Sequence, residues 1–223
     1  MKERLITDSY DGYELRYPFL VEHVKTQLEK QFWTATEARV DLDEVEMLYA
    51  LTDEQRNVVK RLLPLFLRYE LYVGSFWTDT YAKLFPCPEA QEAAVTVAMV
   101  ERAIHARFYD KINKAFGLDK DVHYLSYLDD PAFKDRAKWI GDLLKSDDKV
   151  LVCLAFGLIE SSALFSAFAL LRSFQTGGLN LIGATVKGTK QSAVDERLHS
   201  IILADTLRVM FKELGTTIDG TKY

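Results

Sequence analysis

Read for its apolar and polar positions, this chain is a succession of helices. Val21–Phe32 opens it and runs into the segment FWTATEARVDLDE. Thr52, followed by Asp53 and Glu54, is a strong helix start, because a hydroxyl there accepts from orphan N–H groups and acids face the positive end of the helix dipole. The apolar spacing then continues to about Tyr81, with Pro64 the expected site of a kink. FPCP at 85–88 breaks the pattern, and Pro88 suits the first turn of a helix that runs to about Phe116 and stops at Gly117. DDP at 129–131 starts another, through Leu144. Asp147 and Asp148 cap a long apolar helix to about Phe174, which Gly177–Gly178 ends, and roughly Thr189–Leu214 forms the last. Two helical pairs of about 25–30 residues each, with shorter helices around them, predict an all-α fold built on a four-helix bundle.

Composition narrows this picture without changing it. With 223 residues, 48% of them apolar, the chain can bury one sizeable core. Glycine and proline number only 11 and 5, which favours long helices over tight turns. No linker, low-complexity tract or short repeat divides the chain, so residues 1–214 are expected to form one domain and 215–223 a flexible C-terminal tail. A net charge of −5 argues against nucleic acid as partner, since phosphate binding needs a basic face. The apolar run at Val150–Leu171 is interrupted by Glu160 and several serines, so it reads as a buried helix rather than a membrane span. The N-terminus MKERLITDSYDGYEL lacks the apolar core of a signal peptide, and Cys87 and Cys153 have neither metal-ligand nor redox spacing. A cytoplasmic location is expected.

The informative feature is acid on the apolar helices. Glu70 sits in LPLFLRYELYVGSFW, Glu101 and His105 in VAMVERAIHARFY, Glu160 in CLAFGLIESSALFSAF, and Glu196 and His199 in SAVDERLHSII. A carboxylate in such a setting is costly unless it is paired or coordinated. The order Glu, Glu-with-His, Glu, Glu-with-His repeats across the two halves. That is how a helical bundle holds two metal ions, and mixed imidazole and carboxylate donors suit iron or manganese. Taken singly, each residue has a plainer reading. A Glu–His pair on a helix is usually surface polarity, Trp33 alone is a hydrophobic anchor, and Tyr109 is one of 11 tyrosines. His23 and His123 read as surface or loop residues, and Leu164 and Phe168 as core that would also wall a neighbouring tyrosine.

Nearly the whole chain resembles the small subunits of class I ribonucleotide reductase, members of the ferritin-like superfamily. FWTATEARVDLD resembles the family's tryptophan segment, which implies that Trp33 relays an electron. IHARFY resembles its third-helix motif, implying a ligand His105 and a radical-bearing Tyr109. VDERLH resembles the last-helix motif, implying Glu196 and His199 as ligands and Asp195 as the acid behind them. Glu160 matches the lone glutamate, and YELYVG, with Glu70, resembles the branch that uses glutamate as first ligand. The metal pair is Fe/Fe, Mn/Fe or Mn/Mn. One departure concerns register: the family places a glutamate three residues before the third-helix histidine, where this chain has Arg102. Glu101, four before, is the expected ligand, since both positions share a helix face and a π-bulge would absorb the difference. The alternative is Arg102 in place of a ligand and a site with weakened or absent metal.

The resemblance implies a function. The small subunit generates a radical on Tyr109 and passes it to a large catalytic subunit that reduces ribonucleotides. The chain is expected to be a homodimer, and the tail, ending at Tyr223, is expected to dock on the large subunit and take part in transfer. The competing reading is a stand-alone ferritin-like di-metal oxidase or monooxygenase, for which Tyr109 would be dispensable. A metal-storage bundle would dispense with Trp33 as well, and a plain interaction module would bind no metal.

Overall fold

The computed structural model describes residues 4–9 and 12–215. Tyr223 and the rest of the tail beyond Gly215 lie outside the described residues. The helices are α1 (Pro18–Lys25), α2 (Glu44–Tyr49), α3 (Asp53–Phe76), α4 (Pro88–Met99, resuming as Ala106–Ala115), α5 (Asp121–Tyr124), α6 (Pro131–Leu143), α7 (Lys149–Leu158, resuming as Leu164–Ser173) and α8 (Gly183–Leu214). The bundle is made of α3, α4, α7 and α8. The second folds back along the first after the Phe85–Pro88 break, and α7 and α8 form the other pair. Helix α1 crosses the first half of α4, and α6 lies along α3.

Local chemistry explains most of the helix ends. Thr52 and Gln55 cap α3 reciprocally: the Gln55 N–H donates to Thr52 Oγ1 (3.2 Å), and the Thr52 N–H donates to Gln55 Oε1 (2.9 Å). Asp130 Oδ1 accepts from the Ala132 N–H (3.0 Å) to start α6, and Asp148 Oδ1 from the Leu151 N–H (2.9 Å) to start α7. Pro64 sits inside α3 without ending it.

The start of α8 differs from expectation. The helix begins at Gly183 rather than near Thr189, because its cap comes from far away in sequence. Asp43, in a 3-10 turn (Val40–Asp43), accepts from the Ala184 N–H at 3.0 Å and the Thr185 N–H at 2.6 Å, while Glu46 accepts from the Ile182 N–H. Gly188, one turn further on, is required by packing, since a Cβ there would lie 2.4 Å from the Phe108 ring.

Four π turns interrupt the described helices: Thr26–Lys30 after α1, Trp77–Tyr81 after α3, Val100–His105 within α4 and Ile159–Ala163 within α7. A π turn adds a residue to the helical repeat and re-aims the side chains beyond it. Each of these four carries a residue that points into the bundle centre: Gln27, Trp77, the Glu101–His105 pair and Glu160. Helix α7, with its π turn, is long and apolar enough by composition to cross a membrane. Here it presents Glu160, Leu164, Phe168 and Leu171 to the bundle interior.

Candidate metal centre

Glu70, Glu101, His105, Glu160, Glu196 and His199 meet at the middle of the bundle, each with 0% of its surface exposed. Glu70 comes from α3 and Glu160 from the π turn of α7. Glu101 and His105 lie in the π turn of α4, and Glu196 and His199 lie one turn apart on α8. Two groups of ligand atoms form, each with all members within 4.8 Å of one another: Glu70, Glu101, His105 and Glu196 in the first, and Glu160, Glu196 and His199 in the second. Glu196 is common to both. Glu101 also spans them, lying 3.4 Å from His105 Nδ1 through Oε2 and 2.8 Å from His199 Nδ1 through Oε1.

Contacts within the cluster run from 2.8 to 3.9 Å, yet the two Nδ1 atoms and most carboxylate oxygens have no hydrogen-bond partner among the described residues. These atoms gather in two groups instead of pairing off in hydrogen bonds. In so dry a site, unpaired anions cost several kcal/mol each in real proteins. Four glutamates and two imidazoles converging in this way fit two divalent cations of the iron and manganese kind.

The electrostatics show the same excess of acid. Burial, with Glu101 alongside, holds the Glu70 carboxyl well above its ordinary range, and burial does the same for Glu160. Burial opposes ionisation of Glu101 as well, yet the facing His105 carries it below the usual carboxylate range. Both histidines are pushed down by burial, but the surrounding carboxylates win and raise them well above ordinary imidazole. Ligation needs ionised carboxylates and neutral imidazoles, so binding of cations here would release protons.

The register at α4 follows from the π turn. It brings Glu101 inside, against both histidines, and leaves Arg102 on the outer surface. There Arg102 packs over Gly74 and its Nη2 donates to Ser75 Oγ at 2.8 Å.

Behind His105 lies Asp195. Its Oδ2 accepts from Trp33 Nε1 at 2.7 Å and faces His105 Nε2 at 3.0 Å, and its Oδ1 accepts from Gln27 Nε2 at 2.9 Å. Burial works against this anion, but His105 and Gln27 keep its carboxyl below the ordinary value. With a carboxylate facing Nε2, the His105 proton belongs on Nε2, which frees the Nδ1 lone pair for the cluster. His199 makes no such contact with Asp195.

Tyr109, one turn beyond His105, is wholly buried. Its ring stacks on Phe66 (centroids 4.7 Å apart, planes at 2°), and Phe66 stacks in turn on Phe168 at 5.4 Å. Phe168 therefore walls the tyrosine through Phe66 rather than directly. Burial and the neighbouring Glu70 raise the phenol well above its ordinary pKa, with His105 and Ser192 acting the other way. His23 pairs with Asp205 at 3.1 Å, away from the cluster, and His123 lies on α5.

Three contributors escape a reading of the sequence alone. Trp77 donates from Nε1 to Glu160 Oε1 at 2.9 Å, Gln27 holds Asp195, and Phe66 covers Tyr109. Spacing offered a hint for two of them: Phe66 lies four residues before Glu70 and Trp77 seven after it, on one helical face.

A sequence model described as "Ribonucleotide reductase, small chain" matches residues 11–219. The chain belongs to the ribonucleotide reductase small-chain family. A ribonucleoside-diphosphate reductase small chain of Acanthamoeba polyphaga mimivirus is 23% identical over 208 residues, covering 89% of this small chain and 49% of the relative. The present chain thus spans about half the length of that curated relative. In structure it is similar to the Streptococcus sanguinis dimanganese(II)-NrdF, with a TM-score of 0.79 and 15% identity over 92% of this chain and 72% of that one. That likeness shows the fold, a ferritin-like four-helix bundle. In this small chain the bundle's buried cluster is the set of four glutamates and two histidines at its middle.

Proposed function

We propose that this chain generates and stores a radical for a ribonucleotide reductase, and that a large catalytic subunit uses it to reduce ribonucleotides. The observation that carries this reading is the continuous line from Trp33 through Asp195 to His105, leading into a buried carboxylate–histidine cluster beside a sealed tyrosine. A bundle that only stored metal would have no use for it.

Glu70 and His105 would hold one metal ion, Glu160 and His199 the other, with Glu101 and Glu196 shared between them. Two such ions, in any iron or manganese combination, supply the one-electron oxidising power, drawn from dioxygen or a reduced oxygen species, that side chains lack. Tyr109 is the group to be oxidised. Its phenolate is out of reach at neutral pH, so its electron would pass to the oxidised ions and its Oη proton to an acceptor beside it, Glu70 being the neighbouring carboxylate, and a neutral phenoxyl would remain. Phe66, Phe108 and Phe168 exclude water from it, which protects the stored radical from quenching.

Asp195 keeps the proton on His105 Nε2 and accepts from Trp33 Nε1 at the same oxygen. The indole is thereby joined to the cluster by two hydrogen bonds. Trp33 is 1% exposed, and its neighbour Phe32 is 51% exposed, so the line reaches the molecular surface within one residue. Residues 215–223, ending at Tyr223, would dock on the large subunit and complete the route.

Trp33→Phe tests the reading. Metal content and the Tyr109 radical should survive aerobic reconstitution, while nucleotide reduction with a large subunit falls by orders of magnitude. Undiminished turnover in that variant would sink the relay.

A further inference from the structure

The two halves of the cluster are braced differently. On one side the support is a network behind the imidazole: Trp33 and Gln27 hold Asp195, and Asp195 holds His105. On the other side the distal nitrogen of His199 has no hydrogen-bond partner among the described residues. The bracing there falls on the carboxylate instead. Trp77 Nε1 donates to Glu160 Oε1 at 2.9 Å, which leaves Oε2 as the oxygen facing His199 Nδ1 at 3.9 Å.

Trp77 is itself firmly held. It is 0% exposed, its ring lies 5.5 Å from Phe76 and 4.5 Å from Tyr81, and the Tyr81 hydroxyl is hydrogen-bonded to Thr206 at 2.9 Å. The π turn Trp77–Tyr81 carries it, so its aim comes from an irregularity in the helix. We propose that Trp77 is a positioning residue for the metal ion held by Glu160 and His199: by occupying Oε1 it fixes Glu160 as a one-oxygen ligand, and so sets the affinity of that position alone. The proposal rests on the two-cation reading of the cluster.

The chemistry is specific. A carboxylate with both oxygens free swings between one- and two-oxygen coordination and loses orientational entropy when it settles. An N–H on one oxygen removes that freedom before the ion arrives. Partners standing behind metal ligands typically change affinity by about 10–100-fold. A buried indole also needs some acceptor simply to satisfy its N–H. A purely structural Trp77 would therefore make the same hydrogen bond, but it would not be coupled to one ion in preference to the other.

The test uses Zn²⁺ alone and the full chain labelled with ¹⁵N at its three indoles, Trp33, Trp77 and Trp139. In the unmutated protein the Trp77 indole resonance should move with one of two zinc equivalents and the Trp33 resonance with the other, while exposed Trp139 stays still. Trp77→Phe should weaken one binding step by about 10–100-fold and leave the other intact. Trp77→His, which keeps a ring N–H, should recover part of that loss. A Trp77 resonance indifferent to both equivalents overturns the proposal, and so does a Trp77→Phe variant that weakens both steps equally or neither. If Zn²⁺ does not bind at all, the two-cation reading itself fails and takes this proposal with it.

Discussion

At the scale of single residues, burial decides what each group can do. Cys87 sits at the N-terminal end of α4, where backbone N–H groups favour a thiolate, yet burial wins and its thiol is pushed up to about 11. Cys153, in α7, is pushed up to about 12 by the same cause. A thiol with a raised pKa stays protonated below it, so reactivity should appear only as pH climbs towards 11. Neither cysteine of the native protein should be alkylated by iodoacetamide at pH 8, and both should be in guanidinium. Mass spectrometry of the intact chain reads the result, and rapid native labelling would contradict the packing. Burial also governs what was legible in the sequence. The six cluster residues stood out because acid and imidazole are conspicuous on apolar helices. Trp77, Gln27 and Phe66 did not, since a tryptophan, an amide or a phenylalanine on a core-facing helix has an ordinary explanation.

At the scale of elements, periodicity fails where the helix departs from an α repeat or where its cap is remote. Three and four residues before His105 share one face of an ideal helix, and only the π turn separates them, with Glu101 inside and Arg102 outside. The first turn of α8 carried no start signal in its own sequence, because Asp43 supplies the cap across 141 residues of chain. Replacing Asp43 by alanine removes acceptors from two helix N–H groups and should cost about 1–2 kcal/mol. Gly188→Ala should cost about 1–3 kcal/mol through the clash with Phe108, which also packs edge-on to Trp33 at 5.5 Å. Urea unfolding of the two variants checks both values, and a neutral Gly188→Ala would show that Phe108 can move freely. Because α8 also carries Asp195, Glu196 and His199, a fraying start should loosen the cluster before it unfolds the bundle.

At the scale of the whole molecule, the bundle is closed around its cluster, and exchange with a partner has to go through the surface. The line from His105 to Trp33 is the proposed inner end of that exchange. The tail, residues 215–223, is the proposed other end. Removing it should leave helix content, metal content and the Tyr109 signal unchanged and abolish nucleotide reduction by the mixed subunits. Tyr223→Phe should keep binding and lower turnover. Full activity in the truncated chain would mean that docking and transfer take place elsewhere on the bundle. The central claim, that this cluster oxidises and protects Tyr109, is tested most directly by electron paramagnetic resonance after aerobic reconstitution with Fe²⁺ or Mn²⁺. The unmutated chain should show a tyrosyl signal, and Tyr109→Phe should hold the same two metal ions per chain without it. A tyrosyl signal that persists in Tyr109→Phe, or two bound ions with no radical under any reconstitution, would contradict the account.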